Sequence, residues 1–231
     1  MSEKIKNMFS DISRKYDLIN DLLSFGIHRK WRKKTVRMAE VKEGMKILDI
    51  ACGTGDLAFE FRKAAGSAGK VIGVDFSEGM LELARLKAKQ KNIDIEFINA
   101  DALNLPFENN VFDRASIAFG IRNVDDKITC LKEMTRVVIP GGKVVVLEFG
   151  TPTGIIKYFY KIYSKFVIPL IGKLISYDKK SYQYLVDSIS EFPYGENFVL
   201  LMKETDSFYE YRPYKMAFGI VYLYVGTVKS E

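Results

Sequence analysis

Between residues 46 and 149 short apolar runs alternate with longer mixed segments, and this alternation restricts the fold more than any other feature of the chain. The runs are KILDIA (46–51), KVIGVD (70–75), IEFINA (95–100), FDRASIAF (112–119) and KVVVLEF (143–149). They are too short for buried helices and rich in β-branched residues, which predicts strands. The intervening segments 56–66, 77–91 and 125–138 have helical length. Leu81, Ala84 and Ala88 space one apolar stripe, and Ile128, Leu131, Met134 and Thr135 space another. Strand alternating with helix implies a parallel sheet covered on both faces. Pro140-Gly141-Gly142 predicts a turn into the fifth strand. Two more β-like stretches, around 207–212 and 216–228, predict a closing hairpin and an antiparallel end to the sheet. Residues 3–40 read as helical, with a turn at Ser24-Phe25-Gly26.

The remaining composition narrows the class. A chain of 231 residues, 48% hydrophobic and 28% charged, fits one large globular domain better than two. Two cysteines, Cys52 and Cys130, make no disulfide framework and read as reduced cytosolic thiols. The polar start MSEKIKNMFS is no secretory signal, and no run of about eighteen apolar residues predicts a spanning helix. The net charge of +6 is uneven. Residues 1–40 carry ten Lys/Arg against five acids, and 155–180 carry six lysines against Asp178. The two basic segments flank an acidic middle. Solvated helix faces explain them as well as an acidic partner does.

Chemistry enters at the first strand's end. Asp49-Ile-Ala-Cys-Gly53-Thr-Gly55 follows that strand and opens a helix. Gly53 and Gly55 let the backbone turn sharply and approach a ligand, and the helix start offers unpaired N–H groups. The second strand ends in Asp75, where a carboxylate can accept both ribose hydroxyls of an adenosine. Phe76 after it, Asp101 and Ala102 after the third strand, and Ala118 closing the fourth extend the candidate cofactor contacts. Gly53-x-Gly55-x-x-Ala58 also fits a loose dinucleotide pattern, so a nicotinamide enzyme competes. Asp49 inside the first turn would repel a pyrophosphate but welcome an ammonium group. The Tyr211–Lys215 pair contains Pro213 and cannot form the helical Tyr/Lys pair of a reductase. S-adenosylmethionine, with an amino-acid tail, one adenosine and no pyrophosphate, suits these residues.

Several stretches carry a family resemblance: YDLINDLLSFGIHRKW (16–31), ILDIACGTGD (47–56), VDFSEGML (74–81), NADALNLPF (99–107), FGIRNV (119–124), RVVIPGGKVVVLEF (136–149) and YDKKSYQYLVDSISEFP (177–193). By these the chain resembles class I S-adenosylmethionine-dependent methyltransferases, and more narrowly the ubiquinone/menaquinone biosynthesis C-methyltransferases. The resemblance implies an α/β Rossmann-like three-layer sandwich with a seven-stranded, mostly parallel sheet and an antiparallel last strand. It implies one domain, with a helical cap at 1–40, a cofactor-binding core at 41–150, substrate lid helices at 151–205 and a β-hairpin at 206–231. It implies a prenylated hydroquinone as substrate, methylated on a ring carbon, and places Thr54, Asp75, Asp101 and Ala102 at the cofactor. Ile139 stands where the family usually has lysine, and Gly150 where it commonly has a small hydroxyl residue.

Methyl transfer to a ring carbon needs a neighbouring phenol to lose its proton. Arg122 can stabilise the developing phenolate, Asn123 can orient a water, and Tyr16 can relay a proton if the opening helix caps the pocket. The resemblance assigns these three to the family's proton-removal group. A surface salt bridge with Asp125 or Asp126 is the plainer role for Arg122. Glu148 is another candidate acceptor, or else an arginine partner. His28, the sole histidine, is a substrate-side candidate that also suits fixing the turn. Tyr182, Tyr184 and Leu185 are candidate pocket-lining residues. No metal is expected, since His28 and two separated cysteines make no ligand set.

Residues 155–175 form a basic amphipathic segment in which Lys157, Lys161 and Lys165 share a helix face, with Pro169 ending or bending it. Such a segment suits an anionic membrane surface, or packs on the core with its lysines snorkelling. The expectation is a cytoplasmic protein with peripheral contact at the inner face of the membrane, no nucleic acid partner, and self-association left open. Methylation of another small molecule or RNA, and a non-catalytic membrane- or nucleic-acid-binding role, are the alternatives.

Overall fold

The structure is a computed structural model and describes residues 17–18, 20–152, 154–163 and 179–230. Tyr16 and residues 164–178 therefore lie outside the described residues. Tyr182 lies in a described helix, but its side chain does not belong to the described part.

Seven strands form one sheet in the order β3-β2-β1-β4-β5-β7-β6. They are β1 Lys46–Ile50, β2 Lys70–Asp75, β3 Glu96–Asn99, β4 Phe112–Ala118, β5 Val138–Phe149, β6 Phe208–Met216 and β7 Val221–Val228. The first five pair in parallel, and β7 runs antiparallel to both β5 and β6. Helices α1 His28–Met38, α2 Asp56–Ala65, α3 Glu78–Lys91, α4 Lys127–Arg136, α5 Ile155–Ile162, α6 Lys179–Glu191 and α7 Glu196–Glu204 complete the described elements. This is the expected mostly parallel α/β architecture.

Alternation along each strand divides the core in two. Leu48 and Ile50 of β1 join Leu131 and Met134 of α4 and Phe198 of α7 on one face. Ile47 joins Leu57 and Phe61 of α2 and Leu81 and Ala84 of α3 on the other. Near-continuous burial along β1, β2 and β4 follows from covering both faces.

Three boundaries depart from the sequence expectation. β5 starts at Val138, so Pro140-Gly141-Gly142 lies within it and does not precede it. The register with β4 jumps from Phe112↔Val138 to Arg114↔Lys143, and the glycines are the bulge that absorbs the extra residues. A Cβ at Gly142 would lie 2.4 Å from a Val138 methyl group and 2.8 Å from the Asp113 carbonyl oxygen. Helix α4 starts two residues late because Asp126 caps it, accepting from the N–H groups of Ile128 and Thr129 at 3.0 Å each. β6 runs through Pro213 to Met216. As the edge strand, it tolerates a proline that a central strand would not.

Candidate active site

The carboxyl ends of β1, β2, β3 and β4 meet at an open cleft of about 680 Å³, solvent-facing space included. Its lining comes from four strand ends: Ala51 and Gly53 after β1, Asp75 closing β2 with Phe76, Asp101 and Ala102 after β3, and Ala118 closing β4 with Phe119, Gly120 and Asn123. Two of these are non-glycine residues in the left-handed region, Ala51 at φ 50° and Phe119 at φ 55°. Each such conformation costs about 1–3 kcal/mol, and strain of this kind clusters where backbones are bent around ligands. At Gly120 a Cβ would come within 2.5 Å of the Ala51 Cβ, so the two loops touch across the cleft floor.

Asp75 is fixed from both sides. One carboxylate oxygen accepts the Gly53 N–H and the other the Ser77 N–H, each at 2.8 Å. The lone pairs left over suit a pair of hydroxyl donors. Burial pushes its pKa up, against these hydrogen bonds. Asp49 lies behind the cleft wall on β1 and is 1% exposed. Ser116 donates to its Oδ1 at 2.6 Å, while Oδ2 is buried with no partner. Burial, and secondarily the Asp75 charge, push it up to about 7. A buried carboxylate oxygen without a donor calls for one, and an ammonium group is the complementary partner. The residues present thus fit a donor carrying a ribose and an ammonium group.

Thr54 does not line the cleft. Its hydroxyl bonds Asp17 at 2.7 Å and receives the Lys87 ammonium at 2.8 Å. Lys87 also bonds Asp56, itself paired with Arg32 at 3.1 Å. Burial pushes the Asp56 carboxyl up, but Arg32 and Lys87 outweigh it and hold it low. Thr54 therefore ties the opening segment and α1 to the glycine turn. Gly55, at φ 84°, is the N-cap of α2, and its missing side chain makes room for Phe97 at 3.0 Å.

Arg122 lies in the 3-10 turn Ile121–Asn123, and its side chain is 6% exposed. The expected surface pair with Asp125 or Asp126 is corrected: Arg122 pairs with Glu148 at 2.9 Å, and Glu148 is fully buried. Glu148 also accepts the Phe149 N–H at 2.8 Å, and the guanidinium sits 5.4 Å over the Phe149 ring. Arg122 Nε is buried without a partner. Asn123 faces the cleft and accepts the Tyr184 hydroxyl at 2.8 Å. Burial pushes the Tyr184 phenol up, so it stays a hydrogen-bond donor. Helix α6 thus reaches the site through Tyr184, whereas Leu185 is half-buried and is not among the residues that line the cleft.

His28 is buried away from the cleft. Its ring meets the Ser24 hydroxyl and lies 3.4 Å from Asp21, locking the turn at Phe25-Gly26. Burial, then Arg32, lower its pKa. Lining residues that no sequence motif singles out include Ala51, Met80, Phe119 and Gly120. The FGIRN stretch held the signal for the last two. Among the described residues no group of three His, Cys, Asp or Glu side chains is placed to hold a metal.

The model of the ubiE/COQ5 methyltransferase family matches residues 1–228. The ubiquinone/menaquinone biosynthesis C-methyltransferase UbiE of Bdellovibrio bacteriovorus is 46% identical, over 98% of this chain and 97% of its own length. The demethylmenaquinone methyltransferase of Staphylococcus aureus strain MRSA252 is 42% identical, over 99% of this chain and 95% of its own. Among solved structures, an S-adenosyl-L-methionine-dependent methyltransferase from Methanococcus maripaludis superposes with a TM-score of 0.68 at 20% identity, covering 96% of this chain and 94% of that one. One from Thermotoga maritima gives 0.67 at 20%, covering 96% and 98%. At those identities the likeness is one of fold.

Proposed function

This chain belongs to the ubiE/COQ5 methyltransferase family and is an S-adenosylmethionine-dependent methyltransferase, and from that premise we propose that it methylates a ring carbon of a prenylated hydroquinone. The acceptor is a demethylmenaquinol, a 2-methoxy-6-polyprenyl-1,4-benzoquinol, or both. The observation that carries this reading is the position of Asn123. Its carboxamide shares one cleft with Asp75, while the neighbouring Arg122 lies on the buried side of the same turn.

The bound donor supplies an electrophilic methyl group on a sulfonium. Everything else falls to the chain. Asp75, preset by Gly53 and Ser77, takes the ribose hydroxyls, and Asp101 and Ala102 border the base. Asp49 Oδ2 takes the ammonium. Holding both reactants in line contributes a large share of the acceleration. The acceptor phenol must lose a proton before the carbon is nucleophilic, and the ring carbon must lose one afterwards.

Tyr184 donates to the Asn123 carbonyl oxygen, leaving the carboxamide N–H groups to orient a water or the phenolate. The Arg122 cation favours the phenolate electrostatically, and Glu148 holds that cation against Phe149. Tyr16 is proposed as the relay by resemblance alone. The segment 155–175 is proposed to touch an anionic membrane surface, which brings the enzyme to where a prenylated substrate resides. The test is turnover of methyl-labelled S-adenosylmethionine with each demethylated prenyl quinol in detergent. Transfer to one or both is expected, and none to either overturns the substrate assignment.

A further inference from the structure

Two segments far apart in sequence build one apolar face. Phe25 and Ile27, at the turn before α1, are 73% and 44% exposed. Tyr158 and Ile162 of α5 are 74% and 57% exposed. Tyr163 joins the two, donating its hydroxyl to the Leu23 carbonyl oxygen at 2.6 Å with its ring 6.2 Å from that of Phe25. The turn is stiff. Phe25 and Gly26 both have positive φ, 47° and 71°, and the buried His28–Ser24 contact lies directly beneath. An aromatic held outward in a left-handed conformation is a costly arrangement for a side chain with no task.

The turn and α1 carry a cationic excess. Residues 18–38 contain six Lys/Arg and one acid, Asp21, which is already paired with Arg29. Lys30 and Lys33 are exposed on α1, as is Lys157 on α5. Greasy tips within a cationic collar are complementary to an anionic lipid surface, where both terms add. The face also connects to the site. Trp31, one turn beyond Ile27, has its ring 6.2 Å from that of Phe119, which lines the cleft.

We infer that the turn at Phe25 and the first two turns of α5 together form the docking face for an anionic bilayer, with Phe25 and Tyr158 as its inserting residues. The inference rests on the prenyl-quinol reading for its purpose but not for its test. It differs from contact through 155–175 alone because it makes the turn before α1 an equal half of the surface. Trp31, on the helix that follows the turn and against Phe119 at the cleft, then borders the way of a prenyl tail from lipid to cleft.

The experiment is co-sedimentation of the full chain with vesicles of equal parts phosphatidylcholine and phosphatidylglycerol, and with pure phosphatidylcholine vesicles. The wild type is expected to bind the anionic vesicles, and F25S alone and Y158S alone each to weaken binding about ten-fold. K30E/K33E is expected to weaken it by a similar factor and to abolish its salt dependence in part. All variants should keep the wild-type melting temperature and wild-type turnover of a short-chain, water-soluble quinol. Equal binding of F25S and wild type, or no wild-type binding, overturns the inference. So does a concentration-dependent dimer that F25S abolishes without any vesicle binding, which would make the face an interface between copies. Vesicle binding without turnover of any quinol would instead defeat the substrate reading and leave the docking face standing.

Discussion

Arg122 Nη1 lies 2.9 Å from Glu148 Oε1, and neither side chain reaches solvent to any useful extent. The pair bolts the turn after β4 to the end of β5, at the edge where the cleft opens. Removing one partner strands the other charge in the interior. Glu148→Ala is therefore expected to destabilise the fold by about 3–5 kcal/mol, read by denaturant unfolding. The double change Arg122→Met with Glu148→Leu is expected to recover most of that stability while turnover stays lost. Recovery of turnover along with stability would mean that the cation has no part in the chemistry.

Asp75 and Arg122 divide binding from turnover. Asp75→Ala removes the acceptor of two backbone N–H groups and the proposed acceptor of both ribose hydroxyls. A loss of about a hundred-fold or more in donor affinity is expected by titration calorimetry, from two hydrogen bonds to a charged group. Arg122→Ala is expected to lower kcat and to leave the donor Kd within a few-fold. The reverse pattern would overturn the division.

The proposed ammonium contact at Asp49 is expected to make donor binding depend on pH. Its pKa, about 7, exceeds the ordinary carboxylate value in the free protein. A carboxylate must be ionised to meet an ammonium group, so affinity should fall as pH drops below about 7 and binding there should release a proton. The stability of the free protein runs the other way. With the folded pKa above the unfolded one, the folded state holds this proton more tightly between about 4 and 7, so the Asp49 contribution to stability is full at the acid end and is lost as pH rises through 7. Asp49→Asn should flatten both profiles, raise the melting temperature at pH 8 and weaken donor binding. An unchanged pH dependence of affinity in that variant would exclude Asp49 as the ammonium partner.

Tyr184→Phe deletes only the hydrogen bond to Asn123. About 1 kcal/mol of positioning is at stake, so a roughly five-fold fall in kcat with unchanged donor Kd is expected in steady-state assays. A collapse of activity with a changed pH–rate profile would mark the phenol as a proton carrier in its own right.

The sheet was legible because its evidence is local. β-branched runs, helical stripes such as Leu81-Ala84-Ala88 and the two glycine turns each sit within a dozen residues. Boundaries failed where a long-range partner decided them. Pro140-Gly141-Gly142 looks like a turn until β4 pairs on both sides of it, and Pro213 looks like a stop until β6 proves to be an edge. Within the site, Asp75 could be read from its place after β2. Glu148 could be read as an arginine partner, but not as the partner of Arg122, since the two are 26 residues apart and Asp125 and Asp126 stand closer in sequence. The partners of the Thr54 hydroxyl, Asp17 and Lys87, were equally hidden, because both lie on segments far from it in sequence. Gly150 gains an explanation only in three dimensions, where a Cβ would lie 2.7 Å from the Tyr222 ring.

The methyl group is expected to end on carbon. Incubating the enzyme with carbon-13 methyl-labelled S-adenosylmethionine and demethylated prenyl quinol, then locating the label by NMR, decides it. A ring-bound methyl carbon with loss of the adjacent ring proton is expected. A label found as a methyl ether, or left wholly on the donor, would contradict it.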